Sequence, residues 1–305
     1  MNAHVVFGAS GGIGNAVIRE LARQGKPVRG VNRSGTAIVP PGVEVVAGDA
    51  AKIDDVRSAL DGAAVVYQCL FPAVQDAIID VAAETGATLV VANNLYMYDP
   101  TLGPMSESSP HAYDGRNGGE FYANLTEEAL SAHRDGRIKA VVGQASDVYG
   151  PNVRHGIGAD QVFGPVMAGK PANVLGDPDV PHTYTYADDA ARALITLGER
   201  PEALGRNWHL PSAEPITTRQ LLDLIFAELG TKGKIRAANG LPLTVMAWFS
   251  QTMRNLKREK VYQFTTPWLV DHSDYERTFG LDVTPHPEAV KQTVAWLADP
   301  PDFVE

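Results

Sequence analysis

The chain has 305 residues, 44% of them apolar and 20% charged, the composition of one large α/β domain or of a large and a small one. Its formal net charge of -10 argues against a nucleic-acid partner, because neutralising phosphates takes clustered Lys and Arg. The one basic cluster, Arg254, Lys257, Arg258 and Lys260, has the spacing of a solvated helix face. The single cysteine, Cys69, rules out an internal disulfide and fits a reducing compartment. No apolar run approaches the ~20 residues of a membrane span. Met1-Asn2-Ala3-His4 leads straight into a strand without the basic start of a signal peptide, so a cytoplasmic location without membrane contact is expected.

In chain order, His4–Gly8 reads as a buried strand and Asn15–Arg23 as a helix with Val17, Ile18 and Leu21 on one face. Strands at Pro27–Val31 and Val43–Ala47 precede a helix over Asp54–Leu60. A strand at Ala64–Gln68, a helix at Val74–Glu84, a strand at Thr88–Ala92, a helix at Glu120–His133 and a strand at Lys139–Val142 follow. Continuous Val-rich strands alternating with helices predict a parallel sheet covered on both faces. Right-handed crossovers reduce the choices to a doubly wound, Rossmann-type sheet.

After Gly150-Pro151 the texture changes, with helices expected at Gln161–Ala168, Asp188–Leu197, Thr218–Leu229 and Leu243–Arg254 between Gly- and Pro-marked loops. The expectation is a dinucleotide-binding domain over 1–150, completed by parts of 174–215, and a smaller substrate lobe over 151–305 woven into it.

Gly8-Ala9-Ser10-Gly11-Gly12-Ile13-Gly14 stands between the first strand and the first helix. Glycines there give a tight turn and close backbone approach to a pyrophosphate, and the helix N-terminus favours the anion. The contacts expected from this loop are Gly8, Ser10, Gly11, Gly12, Ile13 and Gly14. At the end of the second strand an acid would bind a ribose 2′-hydroxyl, yet the sequence has Asn32-Arg33-Ser34. Arg33 can fork onto a 2′-phosphate and Ser34 can add a hydrogen bond, which favours NADP, with NAD as the alternative. Asp49, followed by Ala50, can accept from an adenine amino group or cap the next segment. Cys69 and Leu70 follow the fourth strand beside the expected cofactor path. With no basic neighbour in sequence, Cys69 reads as a packing residue.

These features resemble the extended short-chain dehydrogenase/reductase family, which includes the NAD-dependent epimerases and dehydratases. Asp147-Val148-Tyr149-Gly150-Pro151 is similar to that family's "nvYGP" segment, and Tyr184-Thr185-Tyr186-Ala187-Asp188-Asp189-Ala190-Ala191 to its "fvyVdDvA" segment. Asp271-His272-Ser273, Phe279-Gly280-Leu281 and Thr293-Val294-Ala295-Trp296 are similar to its closing pattern.

The resemblance implies a Ser or Thr after the fifth strand and a Tyr-x-x-x-Lys pair opening the next long helix, the tyrosine serving as general acid or base. Aligning Tyr98 with the family's "vYG" tyrosine puts Asn94 in the hydroxyl slot. None of the ten tyrosines has a lysine four residues later; the tyrosine slot falls near Asn117–Gly119 and the lysine slot near Phe121–Ala123. The replacements to consider are Asn94, Tyr98, Tyr96 (two residues away, on the same side if the segment is extended), Tyr113 and Arg116, with His111 behind them. No His/Cys/Asp group has metal-ligand spacing.

The functions left open are an oxidoreductase acting on a small carbonyl or hydroxyl compound, a non-catalytic NADP(H)-binding redox sensor, and a sugar-nucleotide epimerase or dehydratase. Arg154, Lys170 and Arg206 are the cations a sugar nucleotide would need. Leu241, Leu243, Val245, Met246, Trp248, Phe249, Met253, Phe264 and Trp268 form an apolar set that packs the lobe or lines its cleft. Family analogy implies a homodimer through Val74–Glu84 and Glu120–His133.

Overall fold

The alternation of apolar strands and amphipathic helices closes into one seven-stranded parallel sheet. A computed structural model describes residues 3–70, 75–112, 118–155, 157–238 and 261–301. The first half supplies β1 (Ala3–Phe7), α1 (Gly12–Arg23), β2 (Val28–Asn32), β3 (Glu44–Ala47), α2 (Ile53–Ala59), β4 (Ala63–Gln68), α3 (Gln75–Thr85), β5 (Thr88–Asn93), α4 (Gly119–Arg134) and β6 (Lys139–Gln144). The second supplies β7 (Asp147–Tyr149), α5 (Gly164–Met167), β8 (Ala172–Leu175), β9 (Pro181–His182), β10 (Tyr184–Tyr186) and α6 (Ala187–Glu199). It ends with β11 (Asn207–His209), β12 (Ile216–Thr217), α7 (Thr218–Glu228), β13 (Ile235–Ala238), α8 (Ser273–Phe279) and α9 (His286–Ala298).

The sheet order is β11-β6-β5-β4-β1-β2-β3. Successive residues of each strand face opposite sides. Val6, with Val17, Leu21 and Leu194, therefore packs under α1 and α6, while Val5 and Phe7, with Ile78, Leu89 and Leu130, pack under α3 and α4. The order reverses between β1 and β4, and the carboxyl ends of these strands form the crevice in which such sheets take ligands. β11 returns from the second half to pair with β6, Trp208 opposite Gly143.

Three two-stranded pairs, β7 with β10, β9 with β12 and β8 with β13, form a smaller layer above those carboxyl ends. Its core joins Tyr149, Phe163, Tyr184, Ile225 and Val290. The helix expected over 161–168 is a π-helical turn, Ala159–Phe163, followed by α5. Pro165 has no N–H to give to the carbonyl four residues back, so a regular ladder cannot run through the segment. The helix expected over 243–254, the basic cluster at 254–260 and the apolar residues from Leu241 to Met253 lie outside the described residues.

Candidate active site

The glycine loop divides its roles. Gly8 has φ +92, and a Cβ there would sit 2.4 Å from the Cys69 carbonyl oxygen; one on Gly14 would sit 2.3 Å from the Gly8 carbonyl oxygen. These two glycines let the loop fold against itself. A Cβ on Gly12 would meet the Val153 side chain at 2.6 Å, whereas one on Gly11 finds nothing nearer than the Gly8 oxygen at 3.3 Å. Gly11 is the exposed glycine of the loop and lines the cleft. The N–H groups of Gly12 and Ile13, in the first turn of α1, have no backbone partner among the described residues and stay available to an anion. Ser10 is exposed, its carbonyl accepting from Asn152 Nδ2 at 3.2 Å.

At the end of β2, Asn32 shapes the turn that presents Arg33. Its Nδ2 donates to the Thr36 carbonyl at 2.7 Å, and its Oδ1 accepts from Gly35 N at 2.8 Å and Ser34 Oγ at 3.1 Å. Arg33 is exposed and, among the described residues, in no ion pair. Asp49 Oδ1 accepts from Ala51 N at 3.0 Å, a local turn that leaves its second carboxylate oxygen for other partners, and Ala50 is buried. Cys69 and Leu70 wall the cleft, and desolvation pushes the Cys69 thiol up to about 12, so it is an inert wall and not a nucleophile.

Beside the loop lies a cavity of about 430 Å³ whose wall includes Gly11, Gly12, Ile13, Cys69, Leu70, Asn94, Tyr96 and Asp147. A second cavity of about 440 Å³ lies under the smaller layer, bounded by Tyr122, Gln161, Asn173, Thr218, Gln263 and Phe264 among others. Tyr96, Asp147, His155 and Ile157 belong to both walls. The two cavities thus adjoin at a polar junction on the carboxyl side of the sheet.

Tyr96 stands at the junction and Asn94 on the wall of the glycine-loop cavity, but Tyr98 lines neither cavity. The chain turns after β5: Tyr98 N–H donates to the Leu95 carbonyl at 3.1 Å and Tyr96 N–H to Asn94 Oδ1 at 3.0 Å. This turn cancels the alternation that would have put the two tyrosines on one side. Tyr98 is 1% exposed, donates to Gln144 Oε1 at 3.1 Å, accepts from Asn207 Nδ2 at 3.1 Å and packs edge-on to His111 and His209. It is a core residue on neither cavity wall; His111 is exposed, packs against its ring and likewise lines neither wall. Tyr96 donates to Asp147 Oδ1 at 3.1 Å, and Asp147 Oδ2 lies 3.0 Å from His182 Nε2. Burial, then the Asp147 charge, push the Tyr96 phenol well above its ordinary range. Burial also raises Tyr122, against an opposing hydrogen bond from Asn94. Tyr113 and Arg116 lie outside the described residues.

Asp147, His182 and His155 were not singled out from the sequence as site residues. Asp147 stood inside a segment read only as a landmark, and its carboxylate at a strand start was the available signal. His182 gave none, since a lone histidine in Pro181-His182-Thr183-Tyr184 reads as packing. Of the candidate phosphate ligands, Arg154 is exposed on the wall of the glycine-loop cavity and pairs with Asp160 at 3.2 Å. Arg206 pairs with Asp274 at 2.5 Å and stacks over Trp208, away from both cavities. Lys170 is exposed and on neither wall. Phe264 lines the second cavity, but Trp268 is fully buried. No metal-holding cluster exists, and no helix is long and apolar enough to cross a membrane, among the described residues.

Residues 8–117 match a family model described as NAD(P)H-binding. No curated protein sequence matches the chain significantly. Among solved structures, the chain is similar to UDP-glucuronic acid 4-epimerase from Bacillus cereus, in complex with UDP-glucuronic acid and NAD, at 15% identity and TM-score 0.79, covering 97% of this chain and 99% of that one. It is similar to UDP-glucose 4-epimerase from Thermus thermophilus, complexed with NAD, at 17% identity and TM-score 0.77, covering 98% and 99%. It also resembles dTDP-glucose 4,6-dehydratase from Bacillus anthracis, complexed with NAD, at 12% identity and TM-score 0.78, covering 99% and 98%. The chain therefore shares the fold of these epimerases and dehydratases, and its residues 8–117 are similar to NAD(P)H-binding domains.

Proposed function

We propose that the protein is an NAD(P)-dependent oxidoreductase that acts on a small, uncharged carbonyl or hydroxyl compound, with NADP(H) as the preferred dinucleotide. The observation that carries this reading is the junction itself, where the glycine-loop cavity, with Asn94 on its wall, meets a second, mostly apolar cavity across Tyr96 and Asp147. Ligand sites combine an apolar wall with a few convergent polar groups in this way.

The residues present fit a dinucleotide. Gly11 opens the cradle where a Cβ would intrude, and the first-turn N–H groups of α1 would hold the pyrophosphate. Arg33 and Ser34 would hold the 2′-phosphate, and Asp49 would meet the adenine. The bound nicotinamide supplies hydride chemistry; the chain supplies position, a water-poor pocket and a proton path. The second cavity has no Lys or Arg among its described wall residues and does have a carboxylate. A nucleoside diphosphate-sugar, whose pyrophosphate calls for cations, fits it less well than a neutral compound.

The test is a binding assay with NADPH and NADH, followed by nicotinamide absorbance with a panel of aldehydes and ketones. Tighter NADPH binding and turnover of at least one carbonyl are expected. NADPH binding without turnover would favour the redox-sensor reading, and no dinucleotide binding would overturn the proposal.

A further inference from the structure

We propose that Asp147 is the terminal proton acceptor and donor of the site, reached through Tyr96 and held in place by His182, so that a Tyr–Asp–His relay replaces the missing tyrosine–lysine pair. The inference rests on the oxidoreductase reading above and deepens it.

Three separate elements bring the relay together. Tyr96 comes from the turn after β5, Asp147 from the start of β7 and His182 from β9. Tyr96 Oη donates to one carboxylate oxygen at 3.1 Å, and His182 Nε2 lies 3.0 Å from the other. Tyr96 and Asp147 both line the junction of the two cavities, whereas His182 is 1% exposed and lines neither. The relay thus runs from the ligand space inward.

His182 is fixed by more than its contact with Asp147. Its ring stacks on Tyr184, with centroids 4.4 Å apart, and on Phe264 at 5.0 Å. An ionised carboxylate has no proton to give, so the contact assigns the Nε2 proton to His182, which donates it to Asp147 Oδ2. A half-buried carboxylate held by two donors in fixed positions is an oriented acceptor.

The electrostatics decide which member is the base. A lysine beside a tyrosine lowers the phenol's pKa and makes a phenolate accessible; a carboxylate does the reverse. The titratable groups facing Tyr96 are Asp147, Tyr122 of α4 and Tyr262 of the turn over Val261–Phe264, with His155 on the shared wall and His182 behind Asp147. Tyr96 therefore rests as a phenol and works as a conduit. On oxidation the substrate O–H bond breaks, its proton goes to Tyr96 Oη, and the proton Tyr96 already holds passes to Asp147 Oδ1. The electron pair left on the substrate oxygen closes the carbonyl as hydride leaves the carbon for the oxidised nicotinamide. The products are a carbonyl compound, reduced dinucleotide and a neutral Asp147; reduction reverses each transfer.

Two measurements test this. In cofactor-free protein labelled with carbon-13 at the tyrosine Cζ, the resonance absent from Tyr96→Phe identifies Tyr96, and Asp147→Asn is expected to lower its titration midpoint by about one unit or more. With NADPH and 9,10-phenanthrenequinone as probe, Asp147→Asn and Tyr96→Phe should each lower kcat by ~10²-fold or more while NADPH affinity holds. His182→Ala should lower kcat with little change in KM, and His182→Gln, which keeps an N–H donor, should recover part of it. An unmoved Tyr96 midpoint, or full kcat in Asp147→Asn, overturns the relay while the oxidoreductase reading stands. Absence of turnover by the unsubstituted protein with every carbonyl of the panel overturns both.

Discussion

At the scale of single residues, the glycine loop shows how one motif mixes structural and ligand-facing positions. Gly8 and Gly14 are required by the loop's own backbone, so substituting either disturbs the fold before it touches a cofactor. Gly11 faces the cleft. Gly11→Val should keep the circular dichroism spectrum and abolish NADPH binding by calorimetry; unchanged affinity would remove the loop from the site. Arg33 is exposed and outside any described ion pair, and in the proposed function it reads the 2′ position. Arg33→Asp should weaken NADPH by at least ~2 kcal/mol, through loss of a charge-assisted contact, and spare NADH. Equal binding of both cofactors by the parent protein would contradict that assignment. Tyr98 makes the opposite case. Its phenol bridges Gln144 and Asn207 in the core, so Tyr98→Phe should cost about 1–3 kcal/mol in urea unfolding and leave kcat nearly unchanged.

At the scale of elements, short pieces of regular structure position the second cavity. α7 carries a full capping box, Thr217 accepting from Gln220 N and Gln220 returning to Thr217 N. This box fixes the start of the helix whose first residue, Thr218, lines that cavity and bonds Tyr184 at 2.7 Å. Thr217→Ala should lower unfolding stability by ~1 kcal/mol and, through Thr218, raise KM more than it lowers kcat. A loss of stability with unchanged KM would show that the cap serves the fold alone. β7 and β10 pair with Tyr184 opposite Asp147, and this register brings the strand bearing Asp147 beside the segment bearing His182.

At the scale of the whole molecule, the face formed by α3 and α4 bears on self-association. Asp76, Asp80, Glu128 and Asp135 line the groove between these helices, with Arg137 at its edge. Burial and the neighbouring Asp76 raise the Glu128 carboxyl above its ordinary range, a sign of mutual repulsion. Phe121, 39% exposed, is the one large apolar side chain that α4 leaves uncovered among the described residues. A homodimer through this face would oppose like charges on its two copies. Sedimentation should therefore show more dimer at ~0.5 M salt than at ~0.05 M, because screening shortens the reach of the repulsion. Association that weakens with salt would place the interface elsewhere.

The parallel sheet, the places of its first six strands along the chain and the glycine loop were legible in the sequence. Those features rest on local patterns: Val-rich runs such as Val65-Val66, the face of Val17, Ile18 and Leu21, and glycines between a strand and a helix. The sequence also determined that no tyrosine has the lysine partner of the related family. Which polar groups meet was settled by packing between distant segments. Tyr96 and Tyr98 looked equivalent while the segment after β5 was read as extended; one turn, closed by the Leu95 carbonyl and the Asn94 amide, sent Tyr96 to the cleft and Tyr98 to the core. Asp147 and His182 are 35 residues apart in sequence, and no periodicity links them. Their contact follows from the pairing of β7 with β10 and from the aromatic stack that holds the imidazole, interactions formed only when separate segments pack together.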